Sequence, residues 1–279
     1  MVRSSVITIG TLDCLEKPAM CETPESPADL LVRSLASRAG TLTVDEVLGA
    51  PEARTVDSFD PAVLQKAWWC YRKVVESRDC LPRDRFLEGY RRSFAKFYLE
   101  AARALAGRAE VPAIDLRLPQ VLWIFHFPEY PRLAGLLRSA DIVVLVKRHA
   151  PWMGNGRFLS IEDVASLREI LDHLGSGGTI VAMADHALPN TYNRAVEFLG
   201  RRCMTPMGLF AIASRASLSM GLLLPSPGAW AIVPFETGPG VPPELLATAV
   251  LGRLSDHILS TPERWLLWPN LNHRWIDAY

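Results

Sequence analysis

The chain has 279 residues, 49% of them hydrophobic and 22% charged, enough for one large domain or two small ones with a substantial buried core. Thirty basic residues balance thirty acidic ones, which leaves no overall electrostatic footprint for nucleic acid or for anionic lipid. Five widely spaced cysteines (Cys14, Cys21, Cys70, Cys80, Cys203), without a CxxC pair or zinc-type spacing, point to ordinary thiols in a reducing, cytoplasmic compartment.

Residues 1–28 read as a mobile lead-in, because Pro18, Pro24 and Pro27 interrupt any pattern. Their apolar run, Val6–Ile9, is stopped by Asp13, Glu16 and Lys17, too early for a signal peptide or a membrane span. No later stretch reaches about 18 apolar residues without a charge, so a soluble protein, at most peripheral to a membrane, is expected. Helices are expected over Ala28–Arg38, Thr43–Leu48 and Pro61–Ser77, with Thr43 capping the second. Arg83–Leu105 carries the clearest helical pattern of the first half. Phe86, Tyr90, Phe94, Phe97, Tyr98, Ala101 and Leu105 share one face, which reads as core packing rather than a ligand box.

After about residue 115 the rhythm changes. Strands are expected over Gln120–Phe125, Asp141–Lys147, Thr179–Met183, Ser219–Leu224 and Ala229–Pro234. Helices are expected over Pro131–Ser139, Ile161–Leu174, Pro206–Ala216 and Pro242–Ser260. The alternation predicts an α/β fold, a mostly parallel central sheet flanked by helices, with an N-terminal helical segment. The expected organisation is a lead-in (1–28) and a single domain (29–279), divided into a helical part (29–115) and an α/β core (116–279).

Chemistry-bearing residues fall at the expected carboxyl ends of strands. His126 follows the first, with Glu129 three residues on and Pro128 and Pro131 shaping the turn. Histidine can move a proton near neutral pH when a carboxylate orients it, although a satisfied histidine at a strand end has the same appearance. Arg148 and Arg157 flank the Trp152–Gly156 loop, where an arginine can steady an oxyanion or a phosphate. Gly175–Gly178 follows a helix and precedes a strand, the reverse of a phosphate loop, and reads as a helix cap and turn. Asp185 and His186 follow the Thr179 strand, either as site residues or as a turn in which Asp185 caps amides. Thr205 and Pro206 read as the cap and first residue of a helix whose entry can present amides to an anion. Neither GxSxG nor HExxH occurs.

Taken in order, five stretches resemble the bacterial lysophospholipid and lipid A acyltransferase superfamily, most of all the late acyltransferases that add secondary chains to lipid A. They are Arg92–Glu100, His126-Phe127, Ile180–His186, Phe198–Gly200 with Thr205–Gly208, and Thr261–Trp268. The likeness spans roughly residues 85 to 275, and Thr261-Pro262-Glu263-Arg264-Trp265-Leu266-Leu267-Trp268 is its most specific stretch. Two departures stand out. The family's acid, five residues after the histidine, is here Pro131, and the usual basic cluster after the last tryptophan is replaced by Pro269–Arg274. Nothing in residues 1–28 resembles the family's usual N-terminal membrane helix either.

The resemblance implies transfer of an acyl group from a thioester donor, acyl carrier protein or coenzyme A, to a hydroxyl or amine, with no metal or bound cofactor. On it, His126 is the expected base and Glu129, reached across a helical turn, the acid that orients it, with Asp185 as the alternative. Arg157, or Arg148, is expected on the oxyanion or the donor phosphate, with Asp185, His186 and Thr205 also lining the substrate site. The expected acceptor is a small molecule or is tethered to a carrier, in a specialised biosynthetic pathway. A thioester hydrolase, or an inactive protein that binds an acyl carrier or lipid, remains the alternative.

Overall fold

The computed structural model describes residues 26–75, 80–110, 118–139, 141–147, 149–160, 165–186, 192–226 and 229–276. Most of the expected lead-in, including Cys14 and Cys21, therefore lies outside the described residues, as does Arg148.

Four helices precede the sheet: α1 (Pro27–Ala36), α2 (Val44–Gly49), α3 (Pro61–Val74) and α4 (Arg83–Leu105). Their starts are written in the sequence. Ser26 and Asp29 form a capping box on α1, and Thr43 and Glu46 form another on α2. Asp60 caps α3, with Pro61 in its first turn. The stripe on α4 is largely core. Phe86 and Tyr90 are fully buried; Phe86 stacks on Tyr71 at 4.6 Å and on Tyr90 at 5.6 Å. Side chains of this size contribute about 1.5–3 kcal/mol each on burial.

The second part alternates strand and helix: β1 (Val121–Ile124), β2 (Ile142–Val146), β3 (Arg157–Ser160), α5 (Ala165–Gly175), β4 (Thr179–Met183), β5 (Asn193–Phe198), β6 (Arg201–Pro206), α6 (Gly208–Ala216), β7 (Met220–Ser226), β8 (Ala229–Phe235) and α7 (Pro243–Ser260). Six strands form one sheet in the order β3-β2-β4-β1-β7-β8. Every neighbouring pair is parallel except β7 and β8. The expected α/β fold with its mostly parallel sheet and leading helices is therefore present. β1 lies between β4 and β7 and is buried throughout, which is why its sequence is a continuous apolar run rather than an alternation. Among the described residues no helix is long and apolar enough to cross a membrane.

Several elements differ from expectation. Pro131–Ser139 is not an α-helix but 3-10 turns over Tyr130–Arg138. Arg157 is the first residue of an unexpected edge strand, β3, rather than part of a loop. β5 and β6 form an unexpected antiparallel hairpin, turning at Leu199 and Gly200, both with positive φ. Thr205 is drawn into that hairpin opposite Arg194, so it caps no helix; α6 begins at Gly208 instead. Gly175–Gly178 is the turn expected: Gly177 has φ +85°, and the amides of Gly177 and Gly178 return to the carbonyls of Leu174 and His173.

Candidate active site

The parallel register of β1 and β4 builds the centre of the site. Val121 pairs with Ile180 and Ile124 with Met183, a constant offset that also sets His126 opposite Asp185, each two residues beyond its strand. The ladder continues through the Ala184 amide, which donates to the Ile124 carbonyl at 2.8 Å. Chemistry at the carboxyl ends of adjacent parallel strands is where an α/β sheet commonly holds a ligand.

Asp185 grips His126 twice. Its Oδ1 lies 2.9 Å from His126 Nδ1, and its Oδ2 accepts the His126 backbone N–H at 2.9 Å. The Trp265 indole N–H donates to the same Oδ2 at 2.7 Å, and Arg274 Nη1 donates to the Asp185 carbonyl at 3.0 Å. Burial of Asp185 is complete and would push its carboxyl up. The charge of His126, the hydrogen bonds from His126 and that from Trp265 outweigh it and hold the carboxyl below its ordinary range. A charged carboxylate on Nδ1 fixes the tautomer, leaves Nε2 free to accept a proton and stabilises the imidazolium that results.

Glu129 does not play the part expected of it. Its Oε1 pairs with Lys96 at 2.5 Å and with Arg264 at 2.6 Å, and it makes no hydrogen bond to His126. Burial pushes the Glu129 carboxyl up, but the Lys96 hydrogen bond and the charges of Arg264 and Lys96 hold it below the ordinary range. Nearby, Arg132 binds the buried Glu100 through both Nε (2.9 Å) and Nη2 (3.2 Å). Glu129 and Arg132 thus tie the segment after His126 to α4 and to the closing residues. A glutamate three residues on faces a histidine only within a helix, and here the intervening chain is a proline-shaped turn that aims it elsewhere.

His126 and His186 open onto a cavity of about 800 Å³ lined by both sheet and helices. Its walls are mainly apolar: Trp123 and Ile124 from β1, Val144 and Val146 from β2, Val181 to Met183 from β4, Leu209, Phe210 and Ile212 from α6, and Phe97 and Tyr98 from α4. Tyr130 and Trp152 add an aromatic corner, with rings 5.3 Å apart, and Tyr130 meets the His126 ring edge-on at 5.6 Å. The volume lies in the range typical of small-molecule sites, about 300–1,000 Å³. Thr205 also lines it, buried, its hydroxyl donating to the Cys203 carbonyl at 3.4 Å. Arg157 does not line it; its guanidinium faces Glu169 at 3.5 Å on the partly exposed outer edge. No described residue places a serine, threonine or cysteine in hydrogen-bond contact with His126. The Cys203 thiol is buried and pushed up to about 11, so it is a poor nucleophile. Among the described residues no group of three His, Cys, Asp or Glu could hold a metal ion.

Three contributors are not among the residues expected at the site. Trp265 falls in the most specific stretch of the resemblance, Thr261–Trp268, without an expected role; its N–H completes the Asp185 shell. Tyr130 and Arg274 are likewise visible only once the chain is folded. No family model matches the chain, and no curated protein matches it.

Proposed function

We propose that this protein is an acyltransferase, a diverged relative of the lysophospholipid and lipid A late acyltransferases. It moves an acyl group from a thioester donor, acyl carrier protein or coenzyme A, to a hydroxyl or amine. The observation that carries this reading is the pair of buried Asp185 and half-buried His126 at the wall of one large, mainly apolar cavity. An aliphatic chain suits the apolar walls, and a base suits the acceptor. His126 Nε2 takes the acceptor proton as the acceptor attacks the thioester carbonyl. Asp185, in place of the acid absent at Pro131, stabilises the imidazolium. The tetrahedral intermediate then collapses with rupture of the carbon–sulfur bond, and the proton on His126 passes to the departing thiolate. With no side-chain nucleophile on His126, direct attack by the acceptor is favoured over a covalent acyl-enzyme.

The test is thiol release from a series of acyl-coenzyme A and acyl carrier protein thioesters, with and without amine and alcohol acceptors. Acceptor-dependent release supports the transferase. Release at the same rate without any acceptor assigns a hydrolase. No release with any donor, together with saturable donor binding, assigns a binding protein.

A further inference from the structure

The proposed reaction places negative charge on the thioester oxygen, and the arginine expected to meet it, Arg157, faces Glu169 outside the cavity. The cavity does hold another donor. His186 directly follows Asp185, so the turn that fixes the acid also fixes this ring. The ring lines the same cavity as His126, with centroids 6.0 Å apart and planes inclined by 35°. That gap suits a tetrahedral carbon, with the attacking atom on one imidazole and the oxyanion on the other, each within about 3 Å of a ring nitrogen. Whereas His126 is held by a buried carboxylate, no described residue hydrogen-bonds either nitrogen of His186.

We propose that His186 is a catalytic residue whose N–H donates to the oxyanion formed during acyl transfer, completing a site in which His126 is the base. The inference rests on the acyl-transfer reading above. In the step, the acceptor oxygen or nitrogen forms its bond to the carbonyl carbon while its proton moves to His126 Nε2. The carbonyl π pair moves onto oxygen, where His186 N–H meets it. The pair returns as the carbon–sulfur bond breaks, and His126 delivers its proton to sulfur, leaving both imidazoles as they began. His186 lends a hydrogen bond and transfers no proton.

The protonation state suits the role. Burial, and then the charge of His126, depress His186 below the ordinary histidine range, against an opposing pull from Asp185. A neutral ring still offers one N–H, and it does not compete with His126 for the proton. A neutral imidazole polarising a carbonyl is an established use of such a depressed histidine.

The experiment compares wild type, His186→Leu and His186→Gln, each shown to be folded by its thermal transition. Palmitoyl-coenzyme A is the donor, with the acceptor that gives the highest wild-type rate. Affinity is also measured for dodecyl trifluoromethyl ketone, whose hydrate mimics the tetrahedral state. The expectation is that His186→Leu lowers kcat by about a hundredfold with KM changed less than about threefold. Its affinity for the ketone should fall in proportion. His186→Gln, which keeps an N–H donor, should recover at least about tenfold. An active wild type whose His186→Leu variant stays within about twofold in kcat overturns the inference but leaves the acyl-transfer reading intact. So does equal loss in both variants, which would mark a packing role. A wild type that turns over no thioester overturns the reading, and the inference with it.

Discussion

At the scale of single residues, two acids near His126 divide their work. Asp185 has both oxygens on His126 or Trp265, whereas Glu129 has one oxygen between two cations and the other, Oε2, buried without a hydrogen-bond partner. Asp185→Asn keeps the shape but removes the charge behind the imidazolium, and kcat for thioester turnover should fall by about 10³-fold or more with KM little changed. Glu129→Gln should act on stability. It leaves Lys96 and Arg264 facing each other without their carboxylate, but both are partly exposed, so a loss of about 1–2 kcal/mol is expected in urea unfolding. Its kcat should stay within about fivefold of wild type. A rate loss in Glu129→Gln matching that of Asp185→Asn would return the orienting role to the nearer acid. Sequence spacing points to Glu129 because proximity along the chain stands in for proximity in space; strand register, which brings position 126 to 185, cannot be read before the pairing is known.

At the scale of elements, the parts with strong local signals were legible in the sequence. Thr43 and Glu46 announce α2, the aromatic stripe fixes α4 at Arg83–Leu105, and the apolar run Thr179–Met183 is β4. The unread parts are those whose stability comes from distant partners. β3 is a four-residue edge strand with exposed Arg157 and Ser160, held by pairing to β2 rather than by its own pattern. The β5–β6 hairpin turns through Leu199-Gly200, without the Asn-Gly or Asp-Gly that usually marks such a turn. Cavity shape is an element-level property as well, since the neighbouring strands β2 and β4 and the helix α6 all contribute to its walls. Val144 on β2 is a wall residue, and Val144→Phe should intrude on the space without removing any catalytic group. The expected result is a fall in kcat/KM for palmitoyl thioesters at least about tenfold greater than for butyryl thioesters. An equal fall for both chain lengths would mean that the acyl group lies elsewhere.

At the scale of the whole molecule, the closing segment holds the site together from far along the chain. Trp265 reaches Asp185, the Leu266 amide donates to the His126 carbonyl at 3.0 Å, and the buried Tyr90 hydroxyl of α4 donates to the Leu266 carbonyl at 2.7 Å. Trp265→Phe should therefore cost about 1–3 kcal/mol of stability and reduce turnover together, because it strips one donor from a buried carboxylate. Folding is also linked to pH. Asp185 and Glu129 are depressed in the folded state, so their stabilising contribution is complete above their unfolded values, about 4, and is lost as pH falls through the lower folded values. His186, also depressed, has the same sign nearer pH 6.5: stability falls as the unfolded chain takes up the proton first. Urea midpoints should thus drop in the acid limb, and Asp185→Asn should flatten it; an acid limb unchanged in that variant would remove Asp185 from the linkage. The central claim is that His126 is the base of an acyl transfer, and it is tested most directly by comparing acceptor-dependent thiol release in wild type and in folded His126→Ala. The account predicts a rate at least about a hundredfold lower in the variant, with donor affinity retained; a rate close to that of wild type would contradict it.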